Sequence, residues 1–121
     1  MKRLGALEGQ VMQRIWALDR PVGVRQVLTE MNSSRDLAYT TVMTVLEHLY
    51  RKGLVTRVKQ GRAYLYAAAL TREEYTAQLL GGVLAESGDP TAALLRFVEH
   101  LAPSEATELR RALERLDERR A

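Results

Sequence analysis

Four side chains in one short stretch have the chemistry to read the edge of a base pair: Thr40, Thr41, Met43 and Thr44. A threonine hydroxyl both donates and accepts, so it can bond several base edges; its methyl, like the end of Met43, can touch the methyl of thymine. Around them Tyr39, His48, Arg51, Lys52, Arg57, Lys59 and Arg62 can donate to phosphate oxygens, contacts that set position and carry no sequence information. Catalytic chemistry has no comparable signal. The two histidines, His48 and His100, lie far apart, there is no cysteine, and no Ser/His/Asp pattern, Gly-rich phosphate loop or metal-ligand spacing is present. No enzyme activity, metal or cofactor is expected.

A base-reading face needs a helix to present it. Val42, Val45, Leu46 and Leu49 follow the i, i+3, i+4, i+7 spacing of one apolar stripe, which puts Thr40, Thr44, Glu47 and Arg51 on the opposite side. Glu47 would repel phosphate and is read instead as the i+4 partner of Arg51. Other uses of these residues stay open at this level. Thr40 or Thr41 can cap the helix start, Met43 can pack on a neighbouring helix, and Tyr39 and Tyr50 can be core-edge aromatics.

Two helices are expected before this one. Leu7, Val11, Ile15 and Leu18 mark the first, over residues 6–18, and Asp19-Arg20-Pro21 ends it because Pro21 lacks a donor and disfavours helix in the residue before it. Val24, Val27, Leu28 and Met31 mark the second, with Gly23 as a modest N-cap and a polar turn at 32–36. The third stops at Gly53, with Arg51 and Lys52 suiting the dipole of its last turn. From Leu54 the period changes to two. Leu54, Thr56 and Val58 alternate with Val55, Arg57 and Lys59, and after Gln60-Gly61-Arg62 a second alternating run follows, which predicts a hairpin whose Leu54, Val58 and Leu65 pack on the helices. Three helices followed by a basic hairpin is the order of a winged helix-turn-helix domain.

Beyond Leu70 the chain turns acidic and helical. Thr71 and Glu74 form a capping box, Asp89-Pro90 starts a further helix, and Ala102-Pro103-Ser104 separates it from a last one. Gly81-Gly82, inside the first of these three, fits a close helix approach, a kink or an early end. The apolar stripes are Tyr75, Leu79, Leu80 and Val83, then Leu94, Leu95, Val98 and Leu101, then Leu109, Leu113 and Leu116. Stripes this short make no independent core, so they predict a homodimer interface over residues 71–121, joined to a DNA-binding domain over residues 1–70.

Charge agrees with that division. Residues 1–70 hold 11 Lys/Arg against 5 Asp/Glu, and residues 71–121 hold 7 against 10, so a net +6 faces a net −3. A basic front half suits a polyanion. With 121 residues and 46% apolar side chains the chain can bury a real core, and it has no apolar run long enough for a membrane span. The first ten residues carry two cations but no apolar stretch, so no signal peptide is expected; the absence of cysteine fits a cytoplasmic protein.

The segments L-E-G-Q-V-M-Q-R-I-W at 7–16, V-R-Q-V-L at 24–28, L-A-Y-T-T-V-M-T-V-L-E-H-L-Y-R-K-G-L-V at 37–55 and R-V-K-Q-G-R-A-Y-L-Y at 57–66 resemble the BlaI/MecI/CopY group of penicillinase-repressor-type winged-helix regulators. The resemblance covers essentially the whole chain, strongly to about Leu80. It implies a homodimeric transcriptional repressor on palindromic double-stranded operators, controlling β-lactam-resistance or related stress genes. It also implies release through a sensor-linked protease that cuts an Asn-Phe bond before the last helix; the matching bond here is Arg96-Phe97, and the change of Asn to Arg departs from that pattern. Copper-sensing relatives carry a cysteine cluster, which this chain lacks. Gly23, where relatives often place Thr, should weaken the second helix slightly. The expected architecture is mainly α with a small β-hairpin: a winged helix-turn-helix domain plus a C-terminal helical dimerisation region. The alternative is a winged-helix interaction module that docks an acidic partner protein.

Overall fold

The computed structural model describes residues 4–121. Its elements run α1 (Ala6–Leu18), α2 (Val24–Met31), α3 (Tyr39–Arg51), β1 (Val55–Gln60), β2 (Ala63–Ala68), α4 (Arg72–Ala85), α5 (Pro90–Glu99) and α6 (Pro103–Arg120). They divide into two compact units, one extending through Leu79 and one beginning at Leu80. Among the described residues no helix is long and apolar enough to cross a membrane.

In the first unit the apolar stripes meet as their spacing requires. Val11, Met12 and Ile15 of α1, Val27 and Met31 of α2, and Val42, Leu46 and Leu49 of α3 close one core. Asp19 closes α1 in the left-handed region, at φ 50°. Asn32 holds the turn between α2 and α3 at both ends of its amide: Leu37 N–H donates to its Oδ1 at 2.8 Å and its Nδ2 donates to the Leu37 carbonyl at 3.1 Å. At the end of α3, Leu54 N–H reaches the Leu49 carbonyl and Gly53 N–H the Tyr50 carbonyl, both at 3.0 Å. This Schellman pair needs the positive φ of 78° that Gly53 adopts without a Cβ penalty. It also drives Leu54 into the core.

The two strands pair antiparallel, Val55 opposite Ala68 through Gln60 opposite Ala63. Gly61 turns the chain with φ 64°, as the first central residue of a two-residue II′ loop must. Val22 forms a bridge to Tyr66, with N–H to carbonyl distances of 2.8 and 2.7 Å, so the link between α1 and α2 ties down the middle of β2. Here the expected register is corrected. Leu54 precedes the strand as part of the helix cap, so the inward row is Val55 and Arg57, with Ala68 and Tyr66 opposite them. Val58, expected to pack, is 69% exposed. A shift of one residue exchanges the faces of a strand, and the cap of α3 sets that shift.

Thr71 and Glu74 exchange the two hydrogen bonds of a capping box at 3.0 Å each and start α4. Tyr75 packs against Trp16 with ring centroids 5.6 Å apart, Trp16 Nε1 donates to the Leu70 carbonyl at 3.0 Å, and Leu79 joins the same core. The helix runs on through Gly81-Gly82, which rules out an early end there, and a Cβ added at Gly81 would meet nothing within 4 Å.

In the second unit Asp89 accepts from Ala92 N–H at 3.1 Å with Pro90 at the first helical position, as its sequence foretold. Neither α5 nor α6 buries a residue. Leu80, Val83, Leu94, Leu95, Leu109, Leu113 and Leu116 are all exposed, whereas Val98 and Leu101 are half-buried.

Candidate nucleic-acid interface

The outward side of α3 carries Thr40, Met43 and Thr44, all exposed, with Thr41 half-buried beside them. Mid-helix threonines elsewhere in this protein bond back to the carbonyl four residues earlier: Thr29 to Arg25, Thr76 to Arg72 and Thr107 to Pro103. Thr44 does not. Nor does Thr40 or Thr41 cap the helix, because Ala38 is the N-cap and makes no side-chain bond. Met43 is 44% exposed, so it is not consumed by packing on α2. The side chains proposed to read bases therefore have no internal partner among the described residues. Between this face and the hairpin lies a groove of about 290 Å³, lined by Tyr39, Met43, Glu47, Arg57, Arg62 and Tyr64 among others.

The cations divide into those held internally and those left to solvent. Lys59 and Arg62, at the hairpin tip, are exposed and outside every ion pair among the described residues, as is His48 on α3. Lys52 is tied to α1 through Glu8, with Nζ 2.8 Å from Oε2. The hydrogen bond from Lys52 holds the Glu8 carboxyl below its usual value against the opposing effect of burial, helped by the Gly5 N–H and the charges of Lys52 and His48. Arg51 donates through Nε to Glu47 at 3.3 Å, the i+4 pair expected from the sequence.

Arg57, expected to meet phosphate, is held by internal partners in the protomer. Its row of β1 faces inward, so the guanidinium lies 3.9 Å from the ring centroid of Tyr50 and 4.3 Å from that of Tyr64, and Nη1 donates to Glu47 Oε2. The Arg57 bond, partly offset by burial, and the charges of Arg57 and Arg51 lower the Glu47 carboxyl from its usual value. Burial is the largest single influence on Arg57 and works against its charge, but the bonds it makes to Glu47 and Tyr66, together with the charge of Glu47, outweigh it and raise the guanidinium pKa. Glu47 thus sits on the outward side of α3 already paired with two arginines, which offset its charge there.

Arg25 was not singled out by its sequence. It is exposed in the first turn of α2, with its guanidinium 5.5 Å from the ring centroid of Tyr39, at the rim of the same face. A signal existed: a cation in a helix's first turn opposes the dipole, so its placement needs another reason. Of the residues expected at a dimer interface, Tyr75 and Leu79 are packed inside the first unit, because Trp16 offers Tyr75 an aromatic partner. The others remain exposed or half-buried.

A family model described as penicillinase repressor matches residues 4–115. The chain is 46% identical over 120 residues to the transcriptional regulator BlaI of Mycobacterium tuberculosis, covering 97% of this chain and 87% of that protein. Among solved structures, the DNA-binding domain of the repressor BlaI aligns with a TM-score of 0.53 and 26% identity, over 62% of this chain and 94% of that one. The monomeric form of Bacillus licheniformis BlaI, in complex with the blaP half-operator, aligns with a TM-score of 0.51 and 24% identity, over 61% and 89%, and supports the winged-helix fold.

Proposed function

The chain belongs to the penicillinase repressor family, and from that premise we propose that it is a transcriptional repressor whose homodimer occupies palindromic double-stranded DNA. The observation that carries this reading is the outward face of α3: Thr40, Met43 and Thr44 exposed and without internal hydrogen bonds, beside a hairpin tip bearing Lys59 and Arg62. In this reading α3 enters the major groove. Its threonines and Met43 contact base edges, and Lys59, Arg62, Arg25, His48 and Tyr39 meet phosphates on either side. The hydroxyls favour modest base discrimination, completed by DNA shape.

One short helix per protomer makes few base contacts, and a second copy doubles them at a half-site spacing of roughly 34–36 Å. The apolar side chains of Val83, Leu94, Leu95, Leu113 and Leu116, exposed in the protomer, support pairing through the C-terminal helices. Sensor-linked proteolysis at Arg96-Phe97 is the proposed route of release. Phe97 is 56% exposed, and the bond lies inside α5, so cutting it requires the helix to open locally. The proposed targets are β-lactam-resistance or related stress genes, and the proposed place is the cytoplasm.

Selection from a pool of random duplexes, followed by sequencing, tests the reading. The expected product is an inverted repeat with half-sites about one helical turn apart, and Thr44→Ala should blur one position in each half. Recovery of no preferred sequence would end the proposal and favour docking of an acidic protein.

A further inference from the structure

We propose that Arg57 is a positioning residue that locks the angle of the β-hairpin against α3, and that Glu47, despite its negative charge, strengthens DNA binding by holding it there. The inference rests on the DNA-binding reading above. Three independent contacts meet on one guanidinium. Tyr50 stacks from α3, Tyr64 stacks from the opposite strand, and Glu47 closes the planar edge from α3. Arg57 sits in the middle of β1, directly opposite Tyr66, whose backbone is bridged to Val22 at that same level of the hairpin. Lys59 and Arg62 lie beyond that point, near the tip, with Val58 and Lys59 exposed. In the outer half of the hairpin only Leu65 is half-buried, and the residues around it are exposed. What sets its direction is the clamp at Arg57.

The clamp needs a flat cation. A guanidinium presents two faces to two rings while its edge forms a directed bond to a carboxylate; a lysine ammonium carries the same charge without the plane. Glu47 is engaged on both oxygens, by Arg51 at Oε1 and Arg57 at Oε2. Each end of the hairpin's link to α3 is therefore charged, paired and directional. Loss of either partner frees the wing tip to swing and takes Lys59 and Arg62 off register with the phosphates.

Two substitutions set this role against simple electrostatics with opposite signs. Glu47→Gln removes a negative charge from the duplex-facing side, so Coulomb attraction alone predicts tighter binding. The clamp predicts weaker binding, on the order of tenfold in Kd, since wing phosphate contacts are lost. Arg57→Lys keeps the charge, so a direct phosphate contact predicts near wild-type affinity, whereas the clamp predicts a loss close to that of Arg57→Gln. Fluorescence anisotropy with the selected duplex reads both, and thermal melts confirm that each variant is folded. Hydrogen exchange of the hairpin amides, measured without DNA, should speed up in Glu47→Gln and Arg57→Lys. Tighter binding by Glu47→Gln, wild-type affinity in Arg57→Lys, or unchanged exchange of the hairpin amides would each overturn the clamp. If wild-type protein binds no duplex while the hairpin exchanges faster in both variants, the clamp stands and the DNA-binding reading falls.

Discussion

Replacement of Lys59 by Ala is the sharpest test of how this surface meets a polyanion. Lys59 is exposed near the hairpin tip and, with Arg62 and Arg25, stands outside every ion pair among the described residues. Lys52, Arg51 and Arg57 are held by Glu8 and Glu47, so they contribute less to phosphate binding than a count of cations suggests. With those three free cations on each protomer, a dimer neutralises about six phosphates, and the log–log salt slope should be about −5. A rise from about 50 to 200 mM salt then weakens binding roughly a thousandfold. Removing Lys59 deletes one contact per protomer, so the slope should become shallower by about 1.8, with affinity near 0.15 M salt falling about 30-fold. The loss should be equal on the preferred duplex and on a scrambled one, because phosphate contacts carry no sequence information. Anisotropy titrations of both duplexes across that salt range measure slope and ratio together. A flat salt response, a slope unchanged by Lys59→Ala, or a loss confined to the preferred sequence would refute the assignment.

The remaining expectations concern other parts of the molecule. Leu46→Ala, at a fully buried position of α3, should lower unfolding free energy by about 2–5 kcal/mol in urea titrations, since the cavity adds to the lost transfer energy. Leu95→Asp combined with Leu113→Asp, both exposed in the protomer, should leave helix content intact while light scattering falls from dimer to monomer mass. Glu8 and Glu47 have folded-state values below the usual 4.5, so their stabilising contribution is complete above that pH and is lost as pH falls through the lowered values. Acid unfolding monitored by circular dichroism should therefore steepen below about pH 4.5 in the wild type, and Glu8→Gln with Glu47→Gln should flatten that part of the curve.

What the sequence determined by itself is the order of the elements and the outward face of α3. Apolar spacing reports which side of a helix must leave water, and Val42, Val45, Leu46 and Leu49 leave one side for Thr40, Met43 and Thr44. Local stop signals were equally legible, as at Gly53, Asp89-Pro90 and the Thr71–Glu74 capping box, because the groups involved lie within a few residues of one another. Contacts distant in the chain were not. The hairpin's inward row depends on Leu54 being drawn into the α3 cap, and an alternating run reads equally well on either face until that cap fixes it. From that single offset follow the exposure of Val58 and the inward turn of Arg57 toward Tyr50, Tyr64 and Glu47. Tyr75 behaves alike: its helical stripe was plain, but only Trp16, brought near by folding, decides that it packs within the first unit. Periodicity tells which side chains must be buried, and tertiary structure alone decides against what.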